Sequence, residues 1–192
     1  MAKLSFRFGA MGSSKTAQAL IIKHNFEEKG KNVILLKPTL EDRDGKKIIK
    51  SRIGIKAECE YVEDFLEKRV DNYKTYDCII IEEAQFLTSK QVEKFANIVD
   101  YDDIPVICFG LKTNFKGKLF EGSKRLLELA DEIEEIVTIC WCGKKARFNA
   151  RVCNGQVVKH GEEIQLGGNE SYVSLCRKHY NLGQLERDLL RR

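Results

Sequence analysis

Leu4-Ser5-Phe6-Arg7-Phe8 runs directly into Gly9-Ala10-Met11-Gly12-Ser13-Ser14-Lys15-Thr16 and then into the segment Ala17 to Lys29. Leu4, Phe6 and Phe8 alternate with polar residues, the period of a strand, whereas Ala17, Leu20, Ile21 and His24 recur at helical spacing. The residues between them therefore read as a strand-to-helix turn. Such a turn aims backbone N–H groups and the positive end of a helix at one point. A polyphosphate fits there, with Lys15 reaching its terminal phosphates and the Thr16 hydroxyl ligating Mg²⁺. The pattern G-x-x-x-x-G-K-[ST] has a second glycine before the lysine; this chain has Ser14, which lacks glycine's dihedral freedom. The plainer alternative is a serine-rich helix cap followed by a solvated lysine.

Downstream, Asn32 to Lys37 is an apolar run closed by Pro38, as expected of a buried parallel strand, so the chain opens β-α-β with a right-handed crossover. Thr39 to Gly54 is too polar for a core; Arg43 and Arg52 in it can reach phosphates, and Glu41 or Asp42 can hold a Mg²⁺ water. A solvated surface loop is the alternative. Glu58 to Tyr61 reads as a strand, and Val62, Phe65, Leu66 and Val70 as one face of a helix. Tyr76 to Ile81 is an apolar strand ending in Glu82 and Glu83, where a phosphate-loop enzyme needs acid. On an extended strand consecutive residues face opposite sides, so one carboxylate can face the metal and the other a substrate hydroxyl. Ile104 to Gly110 is a further buried strand. Alternating strands and helices predict an α/β fold: a parallel sheet with helices on both faces. Leu111 to Gly122 interleaves basic residues with Phe115 and Phe120, a composition suited to base stacking or a nucleoside lid. A helix with Leu126, Leu127, Leu129 and Ala130 buried follows, and acidic Asp131 to Glu135 closes the core.

The 192 residues suit one medium domain with a small appendage. With 33 basic against 29 acidic residues, the formal charge of +4 gives no argument for nucleic acid. No apolar run approaches ~20 residues and no secretory signal opens the chain, so neither a membrane span nor export is expected, and cytoplasm is the default. Of seven cysteines, Cys59, Cys78 and Cys108 fall in predicted strands, where free cysteine packs as a small hydrophobe. Cys140, Cys142, Cys153 and Cys176 cluster near the C-terminus, which suggests metal before disulfide. Cys140-Trp141-Cys142-Gly143 and Cys176-Arg177-Lys178-His179 form two short knuckles whose three thiolates and one imidazole suit a closed, structural tetrahedral Zn²⁺ site. Cys153, His24 and His160 lack close ligand neighbours. The Gly161 to Ser174 segment, with Gly167-Gly168-Asn169 at its tip, reads as a tethered loop able to close on a small ligand, or as an ordinary hairpin.

Taken in order, the phosphate loop, Glu82-Glu83-Ala84-Gln85-Phe86, Gly110-Leu111-Lys112-Thr113-Asn114-Phe115, the two knuckles and Ile164 to Tyr172 resemble the type II, cytosolic thymidine kinases over nearly the whole chain. The resemblance implies a P-loop nucleoside-kinase core over residues 1–138 and a small β-rich zinc-ribbon domain carrying a lasso loop over 139–192. It also implies ATP-dependent phosphorylation of the 5′-hydroxyl of thymidine or deoxyuridine, a homotetramer, and feedback inhibition by the end-product triphosphate, dTTP. Glu83 would be the general base, Thr16 and Glu82 would serve Mg²⁺, and Gly9 to Thr16, Arg43 and Glu82 to Gln85 would contact ATP. Met11, Phe86, Leu111, Phe115, Phe120, Gln165, Leu166, Gly167, Gly168 and Tyr172 would surround thymidine. Ser14 replaces a glycine, and Glu82 and Glu41 stand where the family commonly has Asp. The competing readings are a phosphate-loop ATPase acting on nucleic acid through its ribbon, and a zinc-stabilised scaffold without activity.

Overall fold

In the computed structural model, residues 1–41, 45–67, 75–161 and 172–185 are described. In chain order the first half contains β1 (Leu4–Phe8), α1 (Lys15–Glu27), β2 (Val33–Lys37), β3 (Ile48–Lys50), β4 (Lys56–Glu58), β5 (Glu60–Tyr61), α2 (Val62–Glu67) and β6 (Cys78–Ile81). A 3₁₀ turn at Ala84–Phe86 leads to α3 (Ser89–Asp102), β7 (Val106–Gly110), α4 (Glu121–Leu129) and β8 (Glu132–Glu135). The last quarter holds β9 (Thr138–Ile139), β10 (Lys145–Ala146), β11 (Phe148–Cys153), β12 (Gln156–Val158), β13 (Tyr172–Leu175) and α5 (Arg177–Leu182).

Six strands form a sheet in the order β5-β2-β6-β7-β1-β8, and every pairing within it is parallel. Alternation along the strands sorts the core onto two faces. Leu4, Phe6, Ile34, Leu36, Ile79, Ile81, Val106 and Cys108 pack against Val62 and Phe65 of α2, Val92, Phe95 and Ile98 of α3, and Leu126 of α4. Val33, Leu35, Cys78, Ile80 and Phe109 turn the other way, towards Ala19 and Leu20 of α1. Helices therefore cover both faces, and burial pushes the Cys78 thiol pKa up to about 12, which keeps it an inert packing group.

Three elements depart from the expectations. Glu132–Glu135 is a strand paired to β1, not an acidic terminator: at the sheet edge Ile133 stays half exposed and charged neighbours face water. The polar segment before Gly54 supplies β3, which pairs antiparallel with β4, so part of it is a hairpin rather than a loop. Along α1 the buried face is Lys15, Ala17, Ala19 and Leu20, while Ile21 is exposed. Val70 lies outside the described residues.

The last quarter forms two small sheets of its own: β10 pairs with β9, and β11 lies between β12 and β13 in an antiparallel sheet. Ala150, Leu175 and Tyr180 make a compact core with Cys140 and Cys176. No helix among the described residues is long and apolar enough to cross a membrane.

Central burial and edge exposure give different costs for the same truncation. Ile80→Ala, at a fully buried position of β6, is expected to lower unfolding free energy by about 2–5 kcal/mol. Ile133→Ala, 49% exposed on β8, should cost within about 0.5 kcal/mol. Denaturant titration of both variants checks this.

Candidate active site and metal cluster

The phosphate loop links the end of β1 to the start of α1. Gly9 is required by close approach, since a Cβ there would lie 2.4 Å from both the Ile136 carbonyl and Ser13 Oγ. Gly12 takes φ +76, and Ser14, directly before the helix, sits at φ 63, ψ 23 in the left-handed region. Ser14 thus adopts the conformation that the missing glycine would adopt freely. Lys15 is 8% exposed and its ammonium donates to the carbonyls of Gly9 and Ala10, both at 3.1 Å. The loop's own carbonyls offset the desolvation of that charge.

Opposite the loop, the Thr16 hydroxyl donates to Glu82 Oε2 at 3.0 Å. Glu82 is 3% exposed, whereas Glu83 is half-buried and lies in the left-handed region at φ 52. The two carboxylates do separate, but the reversal comes from the turn at Glu83 after β6 has ended, not from strand alternation. Gln85 Nε2 donates to Glu83 Oε2, and Gln85 Oε1 accepts the Leu111 N–H at 2.9 Å, fixing the carboxylate relative to the end of β7. Ala84 and Gln85 are buried in the 3₁₀ turn.

These groups line one cleft of about 880 Å³, with Met11, Lys15, Thr16, Glu82, Glu83, Leu111, Glu41, Lys37 and Arg52 on its walls. The β3–β4 turn brings Arg52 over the loop: a Cβ on Gly12 would lie 3.8 Å from Arg52 Nη1. Lys37 holds that turn's base by donating to the Gly45 and Ile48 carbonyls at 2.9 and 3.0 Å. Arg43 and Asp42 lie outside the described residues.

Phe86, Phe115, Phe120 and Tyr172 are not among the residues lining that cleft and lie in two groups. Phe86 meets Phe120 edge-on, with centroids 5.7 Å apart. Phe115 is buried beneath the Arg151 guanidinium, 3.7 Å from the ring centroid, and Arg151 Nε donates to the Tyr172 hydroxyl at 3.0 Å. Gln165, Leu166, Gly167 and Gly168 lie outside the described residues. Arg151 had no sequence motif to mark it; only the pairing of β11 with β13 places it beside Tyr172.

The four knuckle residues converge. Cys140, Cys142, Cys176 and His179 hold their ligand atoms within 4.8 Å of one another. Both Cys140 Sγ and Cys176 Sγ lie 3.4 Å from His179 Nδ1, and Cys142 Sγ lies 3.9 Å from Cys176 Sγ. A tetrahedron with Zn–S bonds of ~2.3 Å and Zn–N of ~2.0 Å has edges of roughly 3.8 and 3.5 Å, so this donor set fits zinc. Trp141 stacks on the His179 ring at 4.1 Å; backbone hydrogen bonding led by His179 lowers the Cys176 thiol pKa, whereas burial raises that of Cys140. Cys153 is exposed and outside the cluster.

The sequence profile of the family described as thymidine kinase matches residues 2–180. The chain is 48% identical over 187 residues to a thymidine kinase of Lactococcus lactis subsp. lactis (strain IL1403), covering 94% of this chain and 97% of the relative. It is 50% identical to one of Lactiplantibacillus plantarum, covering 94% and 96%, and 47% identical to one of Streptococcus gordonii, again covering 94% and 96%. The chain belongs to the thymidine kinase family. Within that family a kinase cleft is expected to take ATP and Mg²⁺, and the carboxylate and hydroxyl groups at Glu82 and Thr16 are hard oxygen donors of the type Mg²⁺ prefers.

Two measurements follow from this geometry. Ser14→Gly relieves about 1–2 kcal/mol of left-handed strain but adds roughly 0.5–1 kcal/mol of unfolded-state freedom. Thermal unfolding should therefore show equal or slightly higher stability, and a clear loss would reveal a role for the hydroxyl. Purified protein should carry zinc by metal analysis. Cys176→Ser should lose it and expose the last quarter to proteolysis before the six-stranded sheet; unchanged metal content would refute the assignment.

Proposed function

We propose that the protein transfers the terminal phosphoryl group of ATP to the 5′-hydroxyl of thymidine, with deoxyuridine as a second substrate, in nucleoside salvage. The observation that carries the reading is the meeting of phosphate loop and carboxylate pair in one cleft, joined by the Thr16–Glu82 hydrogen bond. In this reading the backbone of Gly9 to Thr16 binds the phosphates, and Lys15 turns from the loop carbonyls to the terminal phosphate. Arg43 and Arg52 add positive charge. Mg²⁺, held through Thr16 and Glu82, would neutralise phosphate charge.

Glu83 is the base: its carboxylate accepts the proton of the 5′-hydroxyl as that oxygen bonds to phosphorus and the bond to the ADP oxygen breaks. Gln85 orients Glu83 and ties it to Leu111. Met11 and Leu111 face the nucleoside from the cleft wall, with Phe86, Phe115, Phe120 and Tyr172 behind them and Gln165 to Gly168 closing as a lasso. The zinc is structural, because four protein ligands leave no open position. The proposal extends to a division of the chain at 138/139, a cytoplasmic homotetramer, and feedback inhibition by dTTP. Exposed Ile133, Val137 and Ile139 supply apolar surface for assembly.

A coupled assay with Mg-ATP and each of the four deoxynucleosides tests the reading: thymidine and deoxyuridine should be phosphorylated and the others poorly. Glu83→Gln should lower kcat by ~10²–10⁴ with thymidine affinity retained, since it removes the proton acceptor and keeps the side chain's shape. Turnover by the unaltered protein that Glu83→Gln leaves unchanged would reassign the base; no thymidine monophosphate at all would reject the kinase.

A further inference from the structure

Asn149 of β11 and Ser174 of β13 stand directly opposite each other in the antiparallel pairing, so their side chains leave the same face of the sheet side by side. Both meet one residue at the tip of the phosphate loop. The Met11 N–H donates to Asn149 Oδ1 at 2.8 Å, and Ser174 Oγ donates to the Met11 carbonyl at 2.5 Å. A matched acceptor and donor thus engage both backbone groups of a single loop residue from 138 and 163 positions away in sequence. Asn149 is 5% exposed, so its bond is sheltered from competing water. A third, longer tie runs from the Thr138 hydroxyl to the Gly12 carbonyl at 3.4 Å.

Within the loop the Lys15 ammonium ties the Gly9 and Ala10 carbonyls and the Ser13 N–H meets the Ala10 carbonyl, while the tip at Met11 and Gly12 is tied from the small sheet and β9. Left-handed Ser14 is unfavourable for a residue bearing a Cβ, and Gly12, with φ +76, has many alternatives once freed. Next along the same face, Arg151 and Tyr172 are likewise opposed in register and joined side chain to side chain. One face of the small sheet therefore grips the loop and also carries the groups that cover Phe115.

We infer that Asn149 and Ser174 form a two-point clamp that holds Met11, and through it Gly12 to Ser14, in the phosphate-accepting shape before nucleotide arrives. They are positioning residues for nucleotide binding, and the inference rests on the proposed kinase reading. A clamped loop has less freedom to lose when the phosphates bind, so its effect appears in nucleotide affinity rather than in the chemical step.

The test measures Mg-ATP affinity by calorimetry, and KM for each substrate with kcat, in Asn149→Leu, Ser174→Ala and the double variant. Each single change should weaken Mg-ATP binding about 2–10-fold, the scale of one hydrogen bond, with kcat at saturation held within about twofold. Ser174→Thr, which keeps the hydroxyl, should restore affinity. The double variant should lose less than the product of the single losses, because both bonds hold one residue. Unchanged Mg-ATP affinity in both single variants overturns the clamp. So does a uniform loss of ATP and nucleoside affinity accompanied by lower melting temperature and zinc content, which would make the pair a support of the fold alone. An unaltered protein that binds no Mg-ATP would instead reject the kinase reading, and the clamp with it.

Discussion

The hydrogen bond from the Thr16 hydroxyl to Glu82 joins the first turn of α1 to the end of β6, and it forms because the order of strands in the sheet brings those two points to one edge. β1 and β6 are not neighbours; β7 lies between them in the sheet. Only a parallel sheet delivers the carboxyl ends of all three strands to one edge, so that the turn after β1, the carboxylates after β6 and Leu111 after β7 face the same space. The fully buried Ile79, Ile80 and Ile81 fix β6 on both faces, leaving its end little freedom to drift away from Thr16. The cleft is thus a consequence of strand order and core packing rather than of any single loop.

The parts legible in the sequence were those with strong local periodicity or a dense ligand pattern. β1, β2, β6 and β7 are short apolar runs with turn residues at their ends, and the two knuckles carry their ligands at spacings that allow no other grouping as compact. β8 escaped because an edge strand with one buried partner tolerates Glu-Ile-Glu-Glu, and charge then masks the strand period. The β3–β4 hairpin escaped for a similar reason, since its alternating exposed residues leave Ile49 as the buried member of β3. The buried face of α1 is obscured in the sequence because Ala19, which is buried, is too small to stand out against exposed Ile21. Asn149, Ser174 and Arg151 were invisible for a different cause: their roles depend on which residues β11 and β13 set opposite each other, and register across a long connection is not written in either strand alone.

Backbone strain at this cleft follows a pattern that sequence comparison with a phosphate-loop consensus obscures. Ser14 and Glu83 are both non-glycine residues in the left-handed region, and each lies next to a residue on the cleft wall, Lys15 and Glu82 respectively. Each such conformation costs about 1–2 kcal/mol and persists only where surroundings over-determine it. At Glu83 the determinants are visible: the Glu82 N–H donates to the Leu36 carbonyl at 2.9 Å, and Gln85 fastens the Glu83 carboxylate to the backbone of Leu111. Reversing the chain at that residue is what lets Glu82 stay buried towards Thr16 while Glu83 faces the cleft. A glycine would make the turn more easily but would remove the carboxylate.

Ser14 is held differently from Glu83. The serine provides no cap, for its side chain makes no cap hydrogen bond to the helix; the local ties are those of its neighbours, from the Lys15 ammonium to the Gly9 and Ala10 carbonyls and from the Ser13 N–H to the Ala10 carbonyl. Compensation must come from contacts that hold the neighbouring residues, and the ties to Met11 and Gly12 come from the small sheet and the strand leading into it. That sheet in turn shares a core with Cys140 and Cys176. The phosphate loop is thus tied to a sheet whose core includes two members of the cysteine–histidine cluster, so packing around that cluster and the shape of the loop tip meet in one continuous set of contacts.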